Sequence, residues 1–320
     1  MNFTIEQTGE FLKNHDGYLI LTHVRPDGDT LGCAAALCRG LRDLGKTAHV
    51  LPNPETTSLF SPYLEGLLAP EDFRPETVVS VDMAARGLFP ENARCYLERV
   101  DLAIDHHPSQ EFFAQNTCLD AGRAACGELM YDILQGITPI TREIALPLYV
   151  AVSTDCGCFV YGNTSAGTHR VAAALMDTGI PTAELNKRHF RTKSFKRLRL
   201  ESMLTQSLEF HDGGEIAIAA ISLSMMDTLQ ADERDAEDIA AFVGQVEGVY
   251  NAATLRELSP GTWKISLRTD AQRLNASHVC ALLGGGGHAA AAGCTVEAPW
   301  SQARDRVLAT IRQVVPDCQV

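Results

Sequence analysis

Aspartate and histidine side chains form four clusters in the first half of the 320-residue chain. The clusters contain His23, Asp27 and Asp29; Asp82; Asp105, His106 and His107; and Asp155. Carboxylate oxygens with a minority of imidazole nitrogens suit a divalent metal ion of intermediate hardness. Even six ligands from this set, four aspartates and two histidines, are more than one ion with open positions needs. They are enough for two ions that share a carboxylate. Such a pair can activate water and stabilise the leaving oxygen in phosphoryl transfer.

A single aspartate after a strand is often only a helix cap and is weak evidence for a metal site. The position of all four clusters after apolar segments is stronger evidence. Three clusters directly follow short apolar segments that we predict to be β-strands, at residues 18–22, 78–81 and 102–104. Asp155 follows the apolar segment 146–152. Because the carboxyl ends of parallel strands meet at one edge of a sheet, we expect all four clusters to converge there.

The first half of the chain alternates strand and helix patterns, which is typical of a parallel α/β domain. A further strand is predicted at 48–51, with helices at 31–44, 124–135, 142–153 and 165–178. Strands this short and continuously apolar favour a sheet that is covered on both faces. The remainder indicates a smaller α+β domain. Its predicted elements are a strand at 215–223, a helix at 235–246, a hairpin of 249–258 and 262–268, and helices at 276–283 and 301–315.

The segment 186–200 differs from its surroundings in charge. It holds seven of the chain's 27 basic residues and no acidic one. We predict a connecting helix here. Two roles stay open at this point: a solvated helix face, or the attraction of an anionic substrate.

Composition and charge limit the class of protein. Hydrophobic residues make up 45% and charged residues 21%, which excludes a disordered, collagen-like or coiled-coil chain. A net charge of −13 disfavours general binding of long nucleic acid, although a short anionic ligand could bind at a local basic site or through metal ions. No apolar run reaches the roughly 18–20 residues that span a bilayer, and the N-terminus has no signal-peptide pattern. We therefore expect a cytoplasmic protein without membrane contact.

The ten cysteines show no regular spacing, and most lie in apolar segments. We expect reduced core thiols rather than a disulfide framework. Cys156-Gly157-Cys158 is a C-x-C sequence, for which a zinc or redox role is disfavoured. The part played by Cys156 and Cys158 stays open.

The whole set of motifs resembles the DHH phosphoesterase superfamily. The four clusters are similar to its four motifs, and the run from Gly284 to Gly293, GGGGHAAAAG, resembles the GGGH signature of the DHHA1 C-terminal domain. Within the superfamily, the length and the segments 155–159 and 161–165 resemble the NrnA-type bifunctional oligoribonucleases and pAp phosphatases. That subgroup usually has Thr or Ser where Cys156 stands and often Arg in place of Cys158. The resemblance covers nearly the whole chain.

The resemblance implies a role for each motif residue. One Mn²⁺ would be held by His23, Asp27 and Asp82, and a second by Asp29, Asp82, His106 and Asp155, with Asp82 as the bridge. His107 would donate to the substrate phosphate, and Asp105 would orient the histidines from behind. Mg²⁺ and Co²⁺ stay open as alternatives to Mn²⁺.

The resemblance also implies that successive segments of the chain have different functions. A DHH catalytic domain would span 1–185, a basic helical linker 186–200, and a DHHA1 substrate-binding domain 201–320. Glycine N–H groups can approach an anion closely, and histidine and arginine side chains can donate to a phosphate. The substrate-binding residues of the last domain would be Gly285, Gly286, Gly287, His288 and Arg268.

From this resemblance we expect a Mn²⁺-dependent phosphoesterase that removes 5′-mononucleotides from very short RNA and dephosphorylates 3′,5′-bisphosphate nucleotides such as pAp. The site would lie in a cleft between the domains. Two other activities of the superfamily stay open: hydrolysis of cyclic or linear dinucleotides, and hydrolysis of pyrophosphate or polyphosphate. A catalytically silent nucleotide-binding regulator is disfavoured because every metal ligand is present. No obligate protein partner is evident, and a homodimer stays open.

Overall fold

The protein consists of two compact units. The computed structural model describes residues 1–236 and 239–314, and the units divide between Thr192 and Lys193. We call residues 1–192 the N-terminal unit and those from Lys193 onward the C-terminal unit. Among the described residues, no helix combines the length and the apolar character that a membrane span requires.

The N-terminal unit is built on a five-stranded parallel sheet in the order β2-β1-β3-β4-β5, as the alternating pattern predicts. Its strands are β1 Tyr18–Leu21, β2 Ala48–Val50, β3 Thr77–Val81, β4 Leu102–Asp105 and β5 Asn116–Leu119. Its α-helices are α1 Ile5–Asn14, α2 Gly28–Asp43, α3 Cys126–Gln135, α4 Arg142–Asp155, α5 Ala166–Met176 and α6 Thr182–Asn186. Short 3₁₀ helices cover Ser61–Leu64, Arg86–Leu88 and Glu91–Arg99, and a π-helical turn covers Lys187–Arg191.

Close packing of α2 against α4 forms the centre of this unit. At Gly32 an added Cβ would lie 2.4 Å from the carbonyl oxygen of Pro147, so only glycine permits the approach. Pro147 lies inside α4 and cannot donate a backbone hydrogen bond to the Glu143 carbonyl one turn earlier. Arg39 of α2 donates to that carbonyl instead, at 2.8 Å, which completes the backbone hydrogen bonding of the helix.

The C-terminal unit contains a six-stranded mixed sheet in the order β10-β11-β9-β8-β7-β6. Its strands are β6 Glu209–His211, β7 Ile216–Ile221, β8 Asn251–Ser259, β9 Thr262–Thr269, β10 Gly286–Gly287 and β11 Ala291–Glu297. Its helices are α7 Phe195–Gln206, α8 Leu223–Leu229, α9 Glu233–Ala236, α10 Ala240–Val243, α11 Ala276–Leu282 and α12 Trp300–Val314, with a 3₁₀ turn at Asp212–Gly214. The predicted hairpin is present as β8 and β9, and Gly261 turns the chain with a φ of +77°.

Two predicted helices of the second half differ from the structure. The helix expected at 235–246 is represented by the short helices α9 and α10, and residues 237 and 238 between them lie outside the described residues. The connecting helix expected at 186–200 is broken. A π-helical turn ends at Arg191, extended backbone follows at Thr192, and α7 begins anew at Phe195 with Ser194 as its N-cap.

The contacts of the basic segment explain much of its composition. Lys193 and Arg197 both pair with the buried carboxylate of Glu201, at 2.8 and 2.9 Å, and Lys196 donates to the backbone carbonyl of Gln230. A buried carboxylate left without such partners would be strongly destabilising. For Lys193, Lys196 and Arg197, the structure therefore favours internal pairing in the C-terminal unit over a solvated face.

Candidate metal centre

The predicted ligands are positioned by the ends of strands and helices of the N-terminal unit. Asp82 directly follows β3, and His23 lies two residues after β1. Asp105 is the last residue of β4, so His106 and His107 follow that strand. Asp27 caps the N-terminus of α2 by accepting from the backbone N–H groups of Asp29 and Thr30. Asp155 is the last residue of α4.

These positions bring the six predicted ligands together around Asp82. The Nε2 atom of His23 lies 3.6 Å from Asp27 Oδ1 and 3.6 Å from Asp82 Oδ2. The Nε2 atom of His106 lies 3.5 Å from both Asp82 Oδ1 and Asp155 Oδ2, and 3.8 Å from Asp29 Oδ2. Such separations exceed hydrogen-bond length and suit donor atoms that share an ion about 2.0–2.2 Å from each.

Three overlapping groups of these residues could each hold a metal ion. They are His23, Asp27 and Asp82; Asp29, His106 and Asp155; and Asp82, His106 and His107. Asp82 Oδ1 is buried and has no hydrogen-bond partner in the part of the chain that the structure describes. An unpaired buried carboxylate oxygen is costly, and a cation is the natural partner for it. The donor set and this orphaned oxygen therefore fit a divalent metal ion.

Both ligand histidines are oriented by hydrogen bonds from their other ring nitrogen. His23 Nδ1 lies 2.8 Å from the Val24 carbonyl oxygen, and His106 Nδ1 lies 3.1 Å from the Arg123 carbonyl oxygen. A carbonyl can only accept, so each Nδ1 carries the proton and donates it. Nε2 of each ring is therefore the nitrogen whose lone pair can bind a metal ion.

Asp29 joins the site to the start of α3, a contact that the sequence did not reveal. Its carboxylate accepts from the backbone N–H groups of Cys126, at 2.7 Å, and Gly127, at 2.9 Å. The residue at the N-cap position, Ala125, has no side-chain acceptor. Asp29 therefore caps a helix 97 residues away, and these two donors fix the orientation of the carboxylate. The one signal in the sequence was that the helix predicted at 124–135 has no capping residue of its own at its start.

Asp105 lies behind the histidines, and Gln110 holds it there. Asp105 Oδ1 accepts from Nδ1 of His107 at 2.8 Å and from the backbone N–H of His106 at 2.8 Å. Its other oxygen accepts from Nε2 of Gln110 at 2.6 Å, and the same nitrogen donates to the Met83 carbonyl. Gln110 is buried and was missed in the sequence, where nothing distinguishes it from any other glutamine.

Crowding of carboxylates dominates the electrostatics of the site. Burial raises the pKa of Asp29 and Asp82, and the negative charges of Asp82 and Asp155 raise that of Asp29 further. Burial and the charge of Asp82 likewise raise the pKa of Asp155 to about 8. Burial alone would lower the pKa of His23, but Asp27 and Asp82 outweigh it and raise the value to about 11. Without bound cations, the site therefore retains protons that metal ions would displace.

The site depends on a close contact between the two helices that supply Asp27, Asp29 and Asp155. A Cβ added at Gly28 would lie 2.2 Å from Oγ1 of Thr154, the residue before the ligand Asp155. We expect Gly28→Ala to lower the free energy of unfolding by about 1–3 kcal/mol, because the helices must separate to accept the methyl group. Chemical denaturation measures this loss.

Gly87→Ala is the matched control, because its added Cβ would meet no atom within 4 Å. The same experiment should show metal affinity falling in Gly28→Ala, since Asp155 moves with Thr154. If Gly28→Ala were as stable as Gly87→Ala, the two helices could accommodate the added methyl group and the prediction would be wrong.

The predicted substrate-binding residues lie in the C-terminal unit. Arg268 is on β9 opposite Ala252 of β8 and Ala291 of β11, and its Nη1 donates to the Leu267 carbonyl at 3.1 Å. Residues 285–288 are exposed and include β10, which pairs with β11. Gly285 lies against β11 so closely that an added Cβ would be 2.1 Å from the Gly293 carbonyl oxygen. At Gly285, glycine is therefore needed for close packing against β11.

Comparison with known proteins assigns the chain to a family. Residues 18–152 match the DHH family, N-terminal domain, and residues 213–317 match the DHHA1 domain. The bifunctional oligoribonuclease and PAP phosphatase NrnA of Thermus thermophilus is 33% identical over 313 residues, covering 95% of this chain and 92% of the relative. The chain belongs to the DHH phosphoesterase family.

Further relatives agree with this assignment. The probable bifunctional oligoribonuclease and PAP phosphatase NrnA of Streptococcus mutans is 24% identical, with 88% of this chain and 90% of the relative covered. An exopolyphosphatase-related protein from Bacteroides fragilis has the same fold, with a TM-score of 0.87 and 20% sequence identity. The match covers 97% of this chain and 95% of that chain. As a member of the DHH family, the protein is a hydrolase.

Proposed function

We propose that this DHH phosphoesterase hydrolyses short oligoribonucleotides to mononucleotides and converts 3′,5′-bisphosphate nucleotides such as pAp to the 5′-monophosphate, with the cytoplasm as its location. The observation that carries the proposal is the convergence of the five other predicted ligands around Asp82, whose buried Oδ1 has no hydrogen-bond partner among the described residues. Relatives named for both activities align over most of the chain, which supports this choice of substrates.

The donor atoms support a pair of divalent ions, and we propose Mn²⁺ for both. His23, Asp27 and Asp82 would hold one ion. The second would be held by Asp29, Asp82, His106 and Asp155, with the two oxygens of Asp82 facing different histidines. When bound, the ions supply positive charge that acidifies a water molecule and stabilises the leaving oxygen.

His107 is the proposed donor to the substrate phosphate. Burial lowers its pKa, but the hydrogen bond to Asp105 and the charge of Asp82 outweigh burial and raise the value to about 9. In the metal-free site the ring therefore keeps both protons near neutral pH. Nδ1 donates to Asp105, and Nε2–H is the proposed donor to a phosphate oxygen. Gln110 keeps this arrangement in place through Asp105.

The C-terminal unit is the proposed substrate-binding domain. Arg268 and His288 would contact phosphate oxygens, and the backbone of Gly285, Gly286 and Gly287 would approach the same anion. The four basic residues of the 186–200 segment outside the internal pairs described above, Lys187, Arg188, Arg191 and Arg199, are the remaining candidates for attracting RNA.

Product analysis tests the proposed function. The purified protein with Mn²⁺ is given 5′-labelled RNAs of two to five nucleotides, pAp, cyclic di-AMP and inorganic pyrophosphate side by side. We expect mononucleotides from the RNAs and AMP from pAp. Preferred cleavage of cyclic di-AMP or pyrophosphate would instead assign one of the other activities of the family. Nucleotide binding without any turnover would assign a regulator.

Arg268→Ala tests the role of the C-terminal unit. The substitution removes a proposed phosphate contact and leaves the metal ligands unchanged, so we expect KM for pAp to rise about tenfold while bound metal stays at the wild-type level. If the contact is equally strong in the ground and transition states, kcat changes little. Arg304→Ala, in α12 of the same unit, is the control. A loss of bound metal in Arg268→Ala would contradict the assignment.

A further inference from the structure

The loop that follows the ligand Asp155 folds back onto the end of α4. The backbone N–H groups of Val160 and Tyr161 both donate to the carbonyl of Cys156, the residue next to Asp155, at 3.1 Å. The side chain of Asn163 donates to the carbonyl of Asp155 itself, at 3.2 Å. We call residues 156–164 the Asp155 loop. These hydrogen bonds hold Tyr161 close in space to a predicted metal ligand.

The backbone of the Asp155 loop is strained. Gly157, Cys158 and Phe159 have consecutive positive φ angles of 56°, 56° and 67°, a conformation that side chains other than glycine rarely adopt. Strain of this kind persists only where surrounding contacts enforce it, and it concentrates at ligand-binding sites. Here the Phe159 ring stacks on the ring of His169, with centroids 5.1 Å apart and planes 23° apart.

The strained turn supports an exposed aromatic ring. A Cβ added at Gly157 would lie 2.5–2.7 Å from three atoms of the Tyr161 ring, so the ring rests on the glycine. Tyr161 is nevertheless 53% exposed, and Val160 beside it is 80% exposed. The loop that follows the ligand Asp155 therefore holds one aromatic group in place while leaving much of its surface to solvent.

We propose that Tyr161, supported by Gly157, stacks on the nucleobase of the substrate whose phosphate is bound at the metal centre. This inference rests on the proposed function and deepens it, because it assigns a contact to the part of the substrate that does not react. Any base offers a π-face, so the contact tolerates every base sequence. Pyrophosphate and polyphosphate have no such face, so the ring favours nucleotides over inorganic phosphates.

A pair of substrates that differ only in the base tests the inference. We would compare pAp with abasic ribose 3′,5′-bisphosphate, each as a substrate and the abasic compound also as an inhibitor of pAp hydrolysis. Tyr161→Ala should raise KM for pAp about tenfold and leave kcat nearly unchanged, since stacking acts in the ground and transition states alike. The kinetic constants for the abasic compound should stay within about twofold of wild type.

Three variants separate stacking from a structural role. Tyr161→Phe keeps the ring and should retain the wild-type preference for pAp. Tyr161→Leu keeps apolar bulk without an aromatic face and should behave like Tyr161→Ala, which also covers the case in which the alanine variant does not fold. Leu68→Ala removes an apolar side chain of similar exposure elsewhere in the N-terminal unit and is the control.

The outcomes distinguish this inference from the proposed function. A wild-type protein that cleaves neither pAp nor short RNA overturns the proposed function, and the inference with it. If the wild type cleaves pAp, but Tyr161→Ala changes KM for pAp and for the abasic compound equally or changes neither, the stacking role alone is overturned. A loss in Tyr161→Phe as large as in Tyr161→Ala would also overturn it, because the phenylalanine ring can stack.

Discussion

Asp82→Asn should lower kcat for pAp about a thousandfold or more at saturating Mn²⁺, equivalent to roughly 4 kcal/mol of transition-state stabilisation. Asp82 belongs to two of the three groups that could hold a metal ion, and its two oxygens face different histidines. A neutral amide of the same size weakens both sites together. Kinetics at saturating metal, with bound metal determined by elemental analysis, measure the effect.

The same substitution should stabilise the metal-free protein. Burial raises the pKa of Asp82, which means that the folded structure disfavours the ionised carboxylate. Asparagine removes this charge, so we expect Asp82→Asn to melt at a higher temperature than wild type in a chelator at pH 8. Excess Mn²⁺ should raise the melting temperature of wild type and have little effect on the variant, because a ligand stabilises only a fold that binds it.

Asp72→Asn, at an exposed position of the N-terminal unit, controls for the loss of a negative charge. A variant at Asp82 that retains more than about a tenth of the wild-type kcat, a loss below roughly 1.4 kcal/mol, would refute its proposed bridging role. Full metal content with no turnover would instead point to a role for Asp82 in the reaction itself.

Metal removal should make the stability of the protein strongly dependent on pH. In the metal-free state, Asp155 has a pKa raised to about 8 by burial and by the charges of Asp82 and Asp27. The folded protein therefore holds a proton there that the unfolded chain, with a pKa near 3.8, has released. Stability from this group is present at low pH and is lost as pH rises towards 8.

The histidines act in the same direction. The carboxylates around His23 and His107 raise their pKa values to about 11 and about 9, although burial alone would lower them. Each contributes stability that is present below pH 6.5 and is lost as pH rises through those values. Asp27 has a lowered pKa, so its contribution changes only at acidic pH. Asp155, His23 and His107 therefore all weaken the metal-free fold as pH rises from 6 to 8.

We expect the free energy of unfolding in excess chelator to fall by at least about 2 kcal/mol between pH 6 and pH 8, which is the effect of one such group alone. With saturating Mn²⁺ the fall should shrink or reverse, because metal binding requires the deprotonated ligands and strengthens as pH rises. Denaturant unfolding at both pH values, with and without metal, measures the difference. Asp155→Asn should flatten the chelator curve, and equal slopes with and without metal would contradict the prediction.

The amino-acid sequence by itself determined the chemistry of the site and the outline of the N-terminal unit. Short apolar runs predicted the parallel strands β1 to β4, since continuous apolarity indicates burial on both faces. Residues that follow such strands share one sheet edge. The clusters at His23–Asp29, Asp82 and Asp105–His107 could therefore be expected to meet. The predicted hairpin of the C-terminal unit followed in the same way from its turn residues.

Only the tertiary structure decided which groups support that site. Asp29 caps a helix that starts 97 residues later, Gln110 orients Asp105, and Gly157 supports the ring of Tyr161. Strands β5 and β11 and helix α1 were not predicted from the sequence, although Thr4 and Gln7 form a capping box at the start of α1. Local periodicity depends on neighbours in sequence and is visible in the chain. Contacts across such distances depend on how the elements pack, and no spacing in the sequence records them.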